Sequence, residues 1–159
     1  EVKGKSLLPF LEKESDNNFA ALYGYWGGGI NITDGKYSYF HYPENFSQQN
    51  PNRYQYTLMP THMRQFFSNE ELQTATLHKP FDFTKDIPLL KINRIERKTD
   101  GGYKGFEDTK SALYNLQNDP GQLTPLADEK KSNEYQQMMI DIINKYDPPK
   151  ELIKNYFEN

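Results

Sequence analysis

The sequence predicts an α+β fold, a small, mostly antiparallel β-sheet packed against a long C-terminal helix. Three observations carry that prediction. Short runs of alternating apolar and polar residues lie between turn signals, an Asp34-Gly35 pair separates two such runs, and beyond residue 128 the apolar positions recur at helical spacing.

Taken in order, residues 5–14 (KSLLPFLEKE) read as a short turn or half-helix stopped near Pro9, a docking segment rather than an independent helix. FAALYGY at 19–25 suits a strand, and Gly27-Gly28-Gly29 separates it from a hairpin in which GINIT and KYSYF flank Asp34-Gly35. Counting outward from a two-residue type I′ turn pairs Thr33 with Lys36, Ile32 with Tyr37, Asn31 with Ser38 and Ile30 with Tyr39. Ile30, Ile32, Tyr37 and Tyr39 then share a packed face, and Asn31, Thr33, Lys36 and Ser38 a wet or functional one. Residues 41–52 form a polar loop. RYQYTLM at 53–59 alternates as a strand with Tyr54, Tyr56 and Leu58 on one side.

After Pro60 come two short segments, THMRQFF and NEELQTA. Ser68 caps the second and Glu71, three residues on, completes a capping box. DIPLLKI at 86–92 is a strand whose start is set by Pro88, and 93–110 is a charged, glycine-rich excursion. ALYNL at 112–116 is extended, and NDPGQ is a turn. Tyr135, Met138, Met139, Ile142, Ile143 and Tyr146 form the amphipathic stripe of a helix that Pro148 stops. Pro149 opens a final short helix with Leu152, Ile153 and Phe157 inward.

Composition narrows the function classes. Of 159 residues only 35% are hydrophobic, mean hydropathy is -0.94 and Val2 is the only valine, against roughly half apolar in an ordinary domain. Aromatics at 14% still argue against disorder, so the apolar mass is Tyr and Phe, suited to an interface as well as a core. A net charge of -3 offers no basic stripe to nucleic acid or an anionic membrane. Without cysteine there is no disulfide, no thiolate nucleophile and no Cys-ligated zinc. No stretch approaches the ~20 apolar residues of a membrane-spanning helix, and no signal peptide is present. The chain opens Glu1-Val2-Lys3 and its first methionine is Met59, which reads either as an N-terminus left by processing or, the favoured reading, as a piece cut from a longer polypeptide.

The common catalytic and cofactor motifs are missing. There is no P-loop, no H-E-x-x-H and no G-x-S-x-G, and Tyr25-Trp26-Gly27-Gly28 lacks the spacing of a dinucleotide loop. Those four residues remain candidates for substrate contact, because an aromatic ring beside open backbone can line a sugar site, and the competing reading makes Trp26 a core or interface residue. His41, His62 and His78 are too widely spaced to form a short-range zinc pair. His41 and His62 are substrate-contact candidates against a plain hydrogen-bonding role, and Arg64, with Arg53, is an anion-binding candidate against an ordinary surface ion pair. Asp34, Asp82, Asp86, Asp119 and Asp147 suit turns and element ends. Glu70-Glu71 point in adjacent helical directions and do not support glycosidase acid and base roles. No catalytic residue and no metal ligand is assigned.

Several segments together resemble the C-terminal end of the sulfatase family, within the sulfatase and alkaline phosphatase superfamily. LYNLQNDPGQLTPLA at 113–127 is similar to that family's closing signature, although Thr124-Pro125 departs from the usual residues before Leu-Ala. GKSLLPFLEK at 4–13 resembles the segment leaving the large catalytic domain. YGYWGGGINITDGKYSYFHYP at 23–43, YTLMPTHM at 56–63 and KPFDFTKDIPLLKI at 79–92 resemble a bacterial branch. The resemblance implies that 1–18 leave an absent catalytic domain and that 19–159 form a non-catalytic C-terminal subdomain packed on it. The parent enzyme would use a formylglycine in a C/S-x-P-S-R motif beside Ca²⁺, neither held by this chain, and would cleave a sulfated saccharide or other sulfate ester. The same architecture in a phosphodiesterase or phosphonate hydrolase relative, and a free-standing carbohydrate-binding or interaction module using Trp26 and the hairpin tyrosines, are the alternatives. Leu7, Leu8, Phe10 and Leu11 would be left as an apolar patch that invites self-association. Compartment is left open, with a periplasmic or secreted parent compatible with the sequence.

Overall fold

The computed structural model of the chain describes residues 6, 8–12, 20–24, 29–42, 54–59, 61, 65–93 and 110–158, with Phe10 and Leu11 described for backbone only. Along the chain the elements are α1 (Leu8–Leu11), β1 (Ala21–Gly24), β2 (Ile30–Thr33), β3 (Tyr37–His41), β4 (Tyr54–Thr57), α2 (Asn69–Gln73), β5 (Thr76–His78), a 3₁₀ turn (Asp82–Thr84), β6 (Leu89–Asn93), β7 (Ala112–Asn115), α3 (Glu129–Asn144) and α4 (Lys150–Phe157). This is an α+β fold. Its strands divide into two antiparallel sheets, β1-β2-β3-β7 and β4-β6-β5, whereas the sequence predicts one sheet without β5.

α3 lies on the four-stranded sheet, and the core forms between them. Ile32, Tyr39 and Leu113 come from the strands, Tyr135, Met139 and Ile143 from the helix, and Leu152, Ile153 and Phe157 of α4 close the same cluster. The helix stripe is narrower than the periodicity suggests: Met138 and Tyr146 are 38% and 48% exposed. Steps of four from Tyr135 drift slowly around a 3.6-residue helix and keep one line against the sheet, whereas 138 and 146 fall on its flank. Asp128 caps α3 by accepting from the Lys131 N–H, and Asp147, at φ 48°, turns the chain out of the helix ahead of the two prolines.

The hairpin register departs from the expected one by two residues. Thr33 pairs with Ser38, Ile32 with Tyr39 and Ile30 with His41, so the connecting pair is Gly35-Lys36. The cause is Asp34, whose Oδ1 accepts from the N–H groups of both Lys36 and Tyr37, while Gly35 alone in the turn takes a positive φ, 85°. An even shift preserves side-chain parity, so Ile30, Ile32, Tyr37 and Tyr39 still share the packed face. The opposite face is partly covered rather than wet throughout, although Lys36 is exposed. Asn31 and Ser38 are buried there, the Tyr23 hydroxyl meets Ser38 Oγ at 2.6 Å, and Phe40 packs edge-on against both Tyr23 and Tyr114.

The three-stranded sheet is built around β6, which starts directly after Pro88 as expected, and α2 leans on it. Ser68 and Glu71 form the expected capping box, with the carboxylate accepting from the Ser68 N–H at 2.8 Å. Glu71 is therefore a structural acid, 2% exposed. The two sheets meet through α4. Glu151, in its first turn, takes an ion pair from Lys91 of β6 at 2.6 Å and a hydrogen bond from the Tyr56 hydroxyl of β4. Of the proposed N-terminal docking segment, Leu8 is 54% exposed, and Leu7 lies outside the described residues.

Candidate functional site

Most sequence-based site candidates fall outside the described residues: Tyr25, Trp26, Gly27, Gly28, His62 and Arg64, and with them Arg53. His41 is described. It ends β3 and lines a cleft of about 570 Å³ bounded by β3 and the start of β7, the first turns of α3 and the end of α4.

The sheet side of this cleft is a tied polar framework. His41 Nε2–H donates to the Tyr156 carbonyl, which fixes the tautomer because a carbonyl only accepts. Nδ1 then faces the Tyr39 hydroxyl at 3.5 Å, and the ring stacks on Phe157 with centroids 4.7 Å apart. Burial pushes the imidazole below its ordinary pKa, and the bond to Tyr156 offsets this only in part. Both ring nitrogens therefore face groups of the fold, and the arrangement suits a neutral strut rather than a proton carrier.

Beside it, Ser111 Oγ accepts from the Tyr42 N–H and donates to the Tyr42 carbonyl, each at 3.0 Å, which locks the start of β7 to the end of β3. Tyr42 in turn explains the last residue of the glycine run. A Cβ on Gly29 would lie 2.6 Å from Tyr42 Cε1, so close ring approach accounts for glycine there without a phosphate.

The helix side is different. Glu129, Ser132, Asn133 and Gln136 line it, and none of these side chains makes a hydrogen bond or ion pair to a described residue. The periodicity 129, 132, 133, 136 is that of one helix face and was legible in the sequence, yet a polar face reads as solvated surface until the fold makes it concave.

The hairpin tyrosines are packed rather than offered to a ligand. Tyr39 is 4% exposed and Tyr37 rests on Tyr135, with Lys131 Nζ 4.6 Å from its ring centre. His78 lies between Tyr56 and Phe81, its Nδ1–H donating to the Lys79 carbonyl at 2.7 Å. Asp119 spends its carboxylate on backbone N–H groups, Asp34 gives Oδ1 to backbone N–H groups and Oδ2 to the Tyr135 hydroxyl, and Asp147 accepts from the Asp82 N–H.

Among the described residues no three His, Cys, Asp or Glu side chains converge to hold a metal ion, and the whole chain has neither cysteine nor an S-x-P-S-R serine. The described residues thus offer no ligand set for Ca²⁺, and the sequence offers no precursor motif for formylglycine. No helix among these residues is long and apolar enough to cross a membrane. Compared with known protein families, curated proteins and solved structures, the chain matches none.

Proposed function

We propose that this chain is the non-catalytic C-terminal subdomain of a sulfatase-like hydrolase, packing on the catalytic domain of the same polypeptide and walling one side of its substrate cleft. The observation that supports this best is what the 113–127 segment does. Leu113 is buried in the core, and the Leu126 N–H returns to the Leu113 carbonyl at 2.8 Å. Between them Asn115 Oδ1 accepts from Gln117 and Asn118, and Asp119 accepts from Leu123 and Thr124. The residues that carry the family resemblance thus build a closed strand–turn–helix connection, with the Asn115 and Asp119 side chains committed to backbone. A signature of this kind belongs to architecture, not to chemistry.

A second feature favours a large covalent neighbour. β4 and β5 finish where β6 begins, and around that end Leu58, Met59, Leu77, Phe83 and Ile87 are 50–75% exposed. A set of this size at one end of a sheet is a docking surface for a larger body. In this reading the parent supplies the nucleophile and Ca²⁺, and this chain supplies shape.

The test compares the product of the reading frame that includes sequence upstream of Glu1 with the chain alone, on an aryl sulfate and an aryl phosphate diester. Sulfate cleavage by the longer product only is the expected result. Cleavage of the diester alone would move the subdomain to the phosphodiesterase or phosphonate hydrolase relatives, and turnover by the isolated chain would overturn its non-catalytic role.

A further inference from the structure

α3 carries two unlike faces, and the fold gives each a different environment. Tyr135, Met139 and Ile143 enter the core, while Glu129, Ser132, Asn133 and Gln136 face the cleft shared with His41 and Phe157. On a convex helix such polar groups need no partner but water. Here the space in front of them is concave, and its volume of about 570 Å³ lies in the ~300–1,000 Å³ range of small-molecule sites.

The chemistry of the walls selects the ligand class. The amides of Asn133 and Gln136 each donate and accept, the Ser132 hydroxyl does both, and the Glu129 carboxylate accepts. Vicinal hydroxyls have the same dual character, so a pyranose unit satisfies several of these groups at once. The rings of Tyr42 and Phe157 provide apolar wall for the C–H face of a sugar. Among the described lining residues, the charged ones are Asp128 and Glu129, both acidic. A sulfate or phosphate placed there meets like charge, with no cation among the described lining residues to offset it.

We propose that the cleft between α3 and α4 is a binding site for neutral, unsulfated sugar units, read by Glu129, Ser132, Asn133 and Gln136. The proposal rests on the described residues of this cleft and stands whether or not the chain accompanies a hydrolase. It is pre-formed, since the His41–Tyr156 and Ser111–Tyr42 ties hold its far wall without a ligand.

The experiment is an NMR titration of the isotope-labelled full chain with galactose, N-acetylglucosamine and galactose 6-sulfate at millimolar concentrations. Saturating shifts at the backbone amides of residues 129–136 and at the side-chain amides of Asn133 and Gln136 are expected with at least one neutral sugar. The sulfated probe should bind about tenfold more weakly, or not at all. The Ser132→Ala, Gln136→Ala double variant should keep the wild-type melting temperature and lose about tenfold in affinity, the effect of roughly one missing hydrogen bond. Absence of saturating shifts with both neutral sugars, equal or tighter binding of galactose 6-sulfate, or unchanged affinity in the folded double variant would each overturn the assignment.

Discussion

The Tyr135 hydroxyl donates a 2.6 Å hydrogen bond to Oδ2 of Asp34, across 101 residues of sequence, and so clamps the β2–β3 hairpin turn onto α3. Partial burial pushes the Asp34 carboxyl up, but the bonds it accepts from Tyr135 and from the Tyr37 and Lys36 N–H groups outweigh this and hold it below its ordinary value. One carboxylate thereby orders its own turn with one oxygen and docks the helix with the other.

Tyr135→Phe keeps the ring and removes the bond. The expected loss is about 1 kcal/mol near neutral pH, at the low end for a bond to a charged acceptor because Asp34 is only part-buried. Asp34 has a depressed folded pKa, so its contribution is fully present above the unfolded value near 3.8 and is lost as pH falls through the folded value. Denaturation of both proteins across acidic pH should show the difference shrinking below that range; a constant difference would assign the loss to packing.

Met139 and Met138 are adjacent in sequence and opposite in environment, 0% and 38% exposed. Met139→Ala should cost about 2–5 kcal/mol through transfer and cavity terms, and Met138→Ala under about 1. Chemical denaturation of the two variants checks this, and equal midpoints would mean that the helix face is misassigned.

The Lys91–Glu151 pair, with both side chains about four-fifths buried, joins the two sheets, and Lys91 also sits 3.9 Å from the Tyr54 ring centre. Burial raises the Glu151 carboxyl, yet the hydrogen bonds from Lys91 and Tyr56 bring it below its usual value. Glu151→Gln leaves the ammonium without its counter-charge and should cost about 1–3 kcal/mol. Amide exchange should accelerate in β6 and leave β2 and β3 protected. Uniform acceleration across both sheets would show that the pair is not a local latch.

The exposed end of the second sheet should make the isolated chain self-associate. Leu77 on edge strand β5 and Ile87 ahead of β6 are 75% and 50% exposed. Sedimentation of wild type and of the Leu77→Lys, Ile87→Lys variant should show association in the first and monomer in the second, and identical monomeric behaviour would remove this surface from the account.

Elements with a local signal were legible in the sequence: the Ser68 capping box, the start of β6 after Pro88, the long helix, expected over 128–147 and found at Glu129–Asn144, and the inward residues of α4. The hairpin register was not, because its decisive partners are the Asp34 side chain and Tyr135, and the latter is remote in sequence. β5 was missed because three residues, Thr76–His78, carry too little periodicity to stand apart from the helix before them. For His41 the plain hydrogen-bonding role was legible in the sequence but its partners were not, since Tyr156 and Phe157 lie on the last helix. The free polar face of α3 was visible only as hydrophilic spacing, because concavity is a property of the fold.

The central claim, that this chain is the architectural end of a sulfatase-like enzyme, is tested most directly by sequencing the reading frame immediately upstream of the Glu1 codon. The account predicts a continuous frame encoding a large α/β domain with a C/S-x-P-S-R motif and its accompanying Asp and Asn metal ligands. A stop codon, or a signal peptide joined directly to Glu1, would contradict it and leave a free-standing module in its place.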